Sequence, residues 1–237
     1  MDILTVADCH GQLQENRLLE TLAGRTPDVI FFLGDNDAGD IECVQTSVKN
    51  VPMYGVIGNH DYLDILKDYS IEDLHMKIVS FDGFLIGGFG GTIKYKCDSS
   101  RLMFTNEESE NLFSGFPKCD ILITHDRPCF RVEKQEEELE QEEKPLTLFQ
   151  RIKRIFTQEQ DFSIAEEDSV QKEPEYEPVI MTAHSGMTGI AQYIQEKQPS
   201  YHLHGHLHEP HIEMKYGTEI KCCFRTEFFT LDKNELR

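Results

Sequence analysis

At 237 residues, 39% of them hydrophobic, the chain is long enough to build one large domain with its own core, and a single domain over 1–237 is the expectation. Its 43 acidic residues outweigh 23 basic ones to give a formal net charge of −20, which repels nucleic-acid backbones and anionic membranes; a nuclease is disfavoured, and a phosphate-bearing ligand must be held by something other than overall charge. The seven cysteines are odd in number and form no CxxC pair, which argues against a disulfide framework or a thiolate zinc site and for a reducing, cytoplasmic compartment.

The chain opens on an apolar strand pattern, Ile3 to Ala7, that stops at Asp8, with no basic and apolar leader before it. Asn16 to Ala23 then shows helical spacing. Val29 to Leu33 is a second strand pattern, ending at Gly34-Asp35, and Tyr54 to Ile57 a third, ending at Gly58-Asn59-His60-Asp61. Val79 to Ile86 reads as a hairpin turning at Asp82-Gly83. Gly87-Gly88-Phe89-Gly90-Gly91 lacks the Lys-Ser/Thr of a P-loop and the spacing of a dinucleotide fingerprint, and reads as a tight loop at a site rim. Ile121 to Thr124 leads to His125, and Tyr201 to Leu203 leads to His204-Gly205-His206. Between them Thr188 to Glu196 puts Ile190, Tyr193 and Ile194 on one helical face. His211 to Leu231 supplies further strands around a Tyr216-Gly217 turn. No apolar stretch approaches the roughly 18 residues that span a bilayer.

Residues 132–178 stand apart, with 15 acidic and 6 basic residues, so this segment alone carries close to half of the net charge. Its Glu-rich part cannot bury much surface. Leu148, Ile152, Ile155 and Phe156 nonetheless fall at helical spacing within it, so an acidic insertion that packs on the body, or serves as a lid or a protein-partner element, is expected.

The chemistry lies in the strand-end residues. Divalent cations that activate water need hard oxygen and imidazole ligands drawn from several segments, with one group shared between two ions. Asp8 with His10, Asp35, Asn59, His125, and His206 with His208 form such a set, each placed where an α/β sheet delivers polar side chains to its carboxyl edge. Taken singly, each piece fits a turn or a chance pair; the ordered series fits a metal site. His184 also follows an apolar run and competes with His125 for one ligand position.

The ordered series D-x-H, G-D, G-N-H-D, H and G-H-x-H resembles the calcineurin-like metallophosphoesterase superfamily from Asp8 to His208, the 132–178 segment excepted. The resemblance implies a four-layer α/β/β/α sandwich of two mixed sheets flanked by helices. It makes Asp8, His10 and His208 the ligands of one metal, Asn59, His125 and His206 those of a second, and Asp35 the bridging carboxylate. It favours two divalent ions, Mn²⁺ first, with Fe or Zn²⁺ as alternatives. A water between two such ions becomes hydroxide near neutral pH and attacks phosphorus in line, and His60 would protonate the leaving oxygen.

The chain also departs from the pattern. Where G-D-x-x-D would carry its second acid stands Ala38, which leaves Asp37, Asp40 or Asp61 to orient His60. The stretch after the last motif reads Lys221-Cys222-Cys223-Phe224 in place of the usual Asn-Pro-Gly-Ser. Arg127 and His184 are candidate substrate contacts. The expectation is a phosphodiesterase acting on a nucleotide or another small phosphodiester, with a phosphomonoesterase or a non-catalytic protein-binding scaffold as alternatives.

Overall fold

The computed structural model describes residues 1–130 and 182–232. The acidic insertion expected at 132–178 lies outside the described residues.

Three of the predicted strands, β1 (Asp2–Ala7), β2 (Val29–Phe32) and β3 (Met53–Gly55), run parallel, flanked by β4 (Glu72–Asp73) and by an antiparallel β13 (Arg225–Thr230) in the order β13-β1-β2-β3-β4. A second sheet has the order β11-β12-β10-β9-β6-β5, from β5 (Ile78–Phe81), β6 (Phe84–Phe89), β9 (Ile121–Thr124), β10 (Tyr201–His204), β11 (His211–Lys215) and β12 (Thr218–Cys222). A small third sheet pairs β7 (Thr92–Ile93) with β8 (Met103–Phe104).

Period-two alternation assigns each side chain to a layer. Ile3, Ala7, Val29 and Phe31 of the first sheet share one buried cluster with Ile86, Ile121, Ile123 and Leu203 of the second, which marks the seam between the sheets. The alternate residues Leu4, Val6, Ile30 and Phe32 pack with Leu18 and Leu22 of α1 (Glu15–Leu22) and with Ile41 and Val44 of α2 (Ala38–Ser47). On the far face Phe89, Leu122 and Ile220 pack with Phe113 of α4 (Asn106–Ser114) and with Ile190, Tyr193 and Ile194 of α5 (Thr188–Lys197). A short α3 (Ile65–Asp68) adds Ile65 and Leu66 to the first helical layer. Helices, sheet, sheet and helices make the expected four layers.

Gly87 and Gly88 correct the sequence reading, because they lie inside β6 and not in a rim loop. A Cβ on Gly88 would meet that of Leu74 at 2.6 Å, and one on Gly87 would meet Phe116 at 3.0 Å. The strand is pinched between two packed layers: it admits no side chain at Gly88, and one at Gly87 would have to displace the Phe116 ring and the Cys119 thiol. Only Gly90 and Gly91 belong to the loop that follows.

All seven cysteines are free. Among the described residues no helix is long and apolar enough to cross a membrane.

Candidate metal centre

The parallel strands of both sheets end toward one edge. Asp8 follows β1 directly, Asp35 and Asn59 lie in the loops after β2 and β3, His125 follows β9, and His206 and His208 lie just past β10. The structure brings their side chains together in two groups, Asp8-His10-His208 and Asp35-His125-His206, whose donor atoms lie within 4.8 Å of one another.

Asp35 joins the groups. Its Oδ2 is 4.0 Å from His10 Nε2 and 3.5 Å from His125 Nε2, while its Oδ1 accepts the His60 amide at 2.7 Å. One carboxylate oxygen therefore faces both sets. In the first group His10 Nε2 lies 3.3 Å from His208 Nε2, which is 3.5 Å from Asp8 Oδ1. In the second, His125 Nε2 is 3.2 Å from Asn59 Oδ1.

Backbone groups fix the ring orientations. His125 Nδ1 donates to the Leu33 carbonyl at 2.7 Å, which keeps a proton on that nitrogen and turns Nε2 toward Asn59 and Asp35. His206 Nε2 donates to the Ala183 carbonyl at 2.6 Å and leaves Nδ1 for the cluster. Asp8 Oδ2 accepts the His206 amide at 2.7 Å. Asp61, buried, accepts the amides of Asp35, Asn36 and Gly58 and so ties two ligand loops together. Gly58 has to be glycine, since a Cβ there would overlap Asp35 Oδ1.

Five of the seven candidate ligands sit in the left-handed region: Asp8 at φ 53°, His10 at 47°, Asp35 at 55°, His206 at 74° and His208 at 56°. Such conformations cost roughly 1–3 kcal/mol each in a non-glycine residue and persist where the surroundings over-determine them. Here the loops turn sharply enough to aim five side chains from the ends of three strands into one volume.

The electrostatics divide along the same line. Burial pushes the Asp8 carboxyl above its ordinary value even against the pull of His125. Burial acts in the same direction on Asp35, but the charge and hydrogen bond of His125 and the His60 amide outweigh it and hold that carboxyl below the usual range. His125 is raised to about 10 because the Asp35 and Asp8 carboxylates overcome its burial. His206, buried and next to His125, falls to about 3.

The donors fit divalent cations. Asp8 Oδ1, Asp35 Oδ2 and Asn59 Oδ1 are hard oxygens among imidazole nitrogens. Asp8 Oδ1 is buried with no hydrogen-bond partner among the described residues, an arrangement costly for a carboxylate unless a cation completes it.

The remaining predicted residues fall around this set. His60 is exposed beside it, its ring edge-on to His10 at 5.4 Å between centroids, and burial of its inner side lowers its pKa. None of the three acids offered to orient it does so. Asp61 is spent on backbone amides, Asp40 accepts from Gly11, Leu13 and Asp37, and no described hydrogen bond joins Asp37 to the His60 ring. His184 is exposed and lies on the outer side of His206 at 4.8 Å, whereas His125 is fully buried within the cluster. Arg127 belongs to neither group; its Nε points to the Pro128 carbonyl at 3.5 Å.

Several participants were not read from the sequence. Tyr95 Oη accepts the Asn59 amide at 3.3 Å and so turns Asn59 Oδ1 toward His125. Arg101 donates to the carbonyls of His60 and Asp61. Phe224 stacks on His208 at 5.4 Å with 16° between planes. Of these only Arg101 and Tyr95 left a trace, lying with Lys94 and Lys96 in one of the few cationic stretches of an acidic chain. The Leu33 and Ala183 carbonyls leave none.

The model of the calcineurin-like phosphoesterase family matches residues 1–210. Among solved structures, the protein TT1561 of Thermus thermophilus is similar over 94% of this chain and 89% of its own, at 13% identity and a TM-score of 0.56. The phosphopantetheinyl hydrolase PptH of Mycobacterium tuberculosis is similar over 98% of this chain and 96% of its own, at 11% identity and a TM-score of 0.54. At such identities these likenesses speak to the fold alone. None of the curated proteins matches the chain in sequence. With the family model spanning most of its length, the chain belongs to the calcineurin-like phosphoesterases.

Proposed function

We propose that the protein is a two-metal phosphodiesterase acting on a nucleotide or another small phosphodiester, with Asp8, His10 and His208 holding one ion, Asn59, His125 and His206 the other, and Asp35 shared. The observation that carries this reading is the single Asp35 oxygen facing His10 Nε2 at 4.0 Å and His125 Nε2 at 3.5 Å. Bound there, two divalent ions, Mn²⁺ first and Fe or Zn²⁺ as alternatives, supply activation of water and neutralisation of the phosphate charge, which answers the net charge of −20.

The chain's own residues do the rest. His125 and His206, tied through their other nitrogens to backbone carbonyls, present fixed lone pairs. Asp61 keeps the Asp35 and Gly58 loops in register, so the shared carboxylate does not drift. His60, exposed beside His10, donates a proton to the departing ester oxygen, a role that typically supplies about 10² to 10⁴ in rate. Arg101 commits its guanidinium to the His60 and Asp61 carbonyls and faces Asp98 at 3.9 Å, so its N–H donors are occupied and not offered to the extra anionic oxygen of a monoester, which favours the singly charged diester. The free cysteines fit a cytoplasmic location.

The test is hydrolysis by the Mn²⁺-loaded protein of bis(p-nitrophenyl) phosphate and p-nitrophenyl phosphate, which share a leaving group. A larger kcat/KM on the diester is expected, and a larger value on the monoester reverses the reading to a phosphomonoesterase. Replacing His60 by Ala should lower kcat with metal content unchanged; unchanged turnover would remove His60 from the mechanism.

A further inference from the structure

Beside the first metal group a cleft of ≈ 550 Å³ opens, lined by Gly11, Gln12, Leu13, Gln14, Arg17 and Arg225. Two of its lining residues are chain neighbours of residues at the metal centre. Gly11 is the residue after His10, and Arg225 follows Phe224, the ring stacked on His208. Arg225 pairs with Ala7 across the β1–β13 ladder, immediately before Asp8.

The cleft is built and not a gap between loose loops. Asp40 Oδ2 and Oδ1 accept the amides of Gly11 and Leu13 at 2.7 and 2.9 Å, which pins the wall that follows His10. Arg225 holds a left-handed backbone at φ 59°, places its guanidinium 5.3 Å from the Phe224 ring centroid and reaches Gln12 Oε1 at 3.3 Å. A strained backbone that aims one cation into a cleft points to use. Among the described residues no carboxylate forms an ion pair with Arg225. Arg17 is paired with Glu20 at 2.9 Å, but both are exposed, and such a pair is readily exchanged for a better anion. Two guanidiniums in one cleft stand out in a chain with 43 acidic residues, and their planar forks suit phosphate oxygens.

We propose that this cleft is a subsite for a second phosphate on the substrate, so that the ester cleaved is one arm of a small molecule carrying two phosphate groups. The reacting phosphate would sit on the metal group at His10 and His208, and the other on Arg225 and Arg17. This rests on the phosphoesterase reading and narrows its substrate class.

The test uses ligands whose C–P bonds the proposed chemistry does not cleave. Calorimetry on the Mn²⁺-loaded protein compares alkylene bisphosphonates of graded length with alkylphosphonates of the same length. At one bridge length the bisphosphonate should bind at least about tenfold tighter. That ratio should collapse in Arg225→Asn, chosen because Asn tolerates a positive φ, and in the Arg17→Gln/Arg225→Asn double variant. Alkylphosphonate binding reports on the fold and the metal centre in each variant. The proposal is overturned if no bridge length gives an advantage, if the advantage survives the double variant, or if both ligands weaken equally, which would place Arg225 in support of His208 alone. Turnover of simple esters without a bisphosphonate advantage would sink the subsite and spare the hydrolase. An Arg225-dependent advantage in a protein that cleaves no ester would keep the subsite and sink the hydrolase.

Discussion

The two metal groups share a carboxylate but live in different solvents. Asp35, His125 and His206 are all buried, whereas the His10 and His208 side chains are 29% and 47% exposed. The buried group is anchored by main-chain carbonyls and belongs to the packed seam of the fold. The open group is anchored by a carboxylate and a stacked phenyl ring, and it meets the cleft. On the proposed reading, such a centre would hold one ion as part of the structure and present the other to incoming ligands.

Breaking the shared residue should have the largest effect. Asp35→Asn keeps the shape but loses the charge that both groups use, and turnover should fall by about 10³-fold or more with metal content below two ions per chain. Elemental analysis beside the rate measurement checks this, and retention of two ions would end the bridging assignment. Replacing one ligand from each group then separates them. His125→Ala leaves a cavity and an unpaired Leu33 carbonyl in the seam, costing about 3 kcal/mol and lowering Tm by roughly 6–12 °C. His208→Ala, at the open side, should leave Tm within a degree or two while weakening one ion. Equal Tm losses would erase the distinction between the groups.

Proton linkage sharpens the comparison further. In the metal-free protein the His125 pKa is raised to about 10, above the ordinary value of 6.5, so the stability it contributes is full below pH 6.5 and is lost as pH rises through about 10. A metal ligand must be neutral, so loading the buried group at pH 7 should release a proton, with affinity rising about tenfold per pH unit until His125 has titrated. Titrations in buffers of different ionisation enthalpy would detect that proton, and a pH-independent affinity would contradict it. The smallest effect belongs to Tyr95→Phe, which frees the Asn59 amide and should cost roughly tenfold in kcat/KM, as removal of an outer hydrogen bond to a metal ligand does.

The buried framework was the legible part. Strands closed by Asp8, Asp35, Asn59, His125 and His206 announce themselves because burial on both faces demands near-continuous apolar runs, and a polar residue that ends one stands out. Gly87 and Gly88 misled because a glycine pair has the same signature in a turn as in a strand squeezed between two layers; only the neighbours Leu74 and Phe116 distinguish them. The partners that complete the site were illegible for a different reason. Leu33 and Ala183 act through carbonyls, which every residue possesses, and Tyr95 and Arg101 reach the site from loops with no periodicity. Asp61 looked like a candidate to orient His60 because sequence adjacency says nothing about which way a carboxylate turns, and three amides claim it.

The left-handed backbone at Asp8, His10, Asp35, His206 and His208 has a consequence for how such a chain can change over generations. On the proposed reading each of these positions is constrained twice, by the ligand atom it would supply and by a backbone that β-branched residues avoid. A descendant that gives up its metals therefore has few folded routes open to it, and they run through Asn, Asp or Gly at those positions. Valine or isoleucine there would remove the ion and the turn together, so loss of chemistry and loss of fold are separable at these five positions only by a narrow set of side chains.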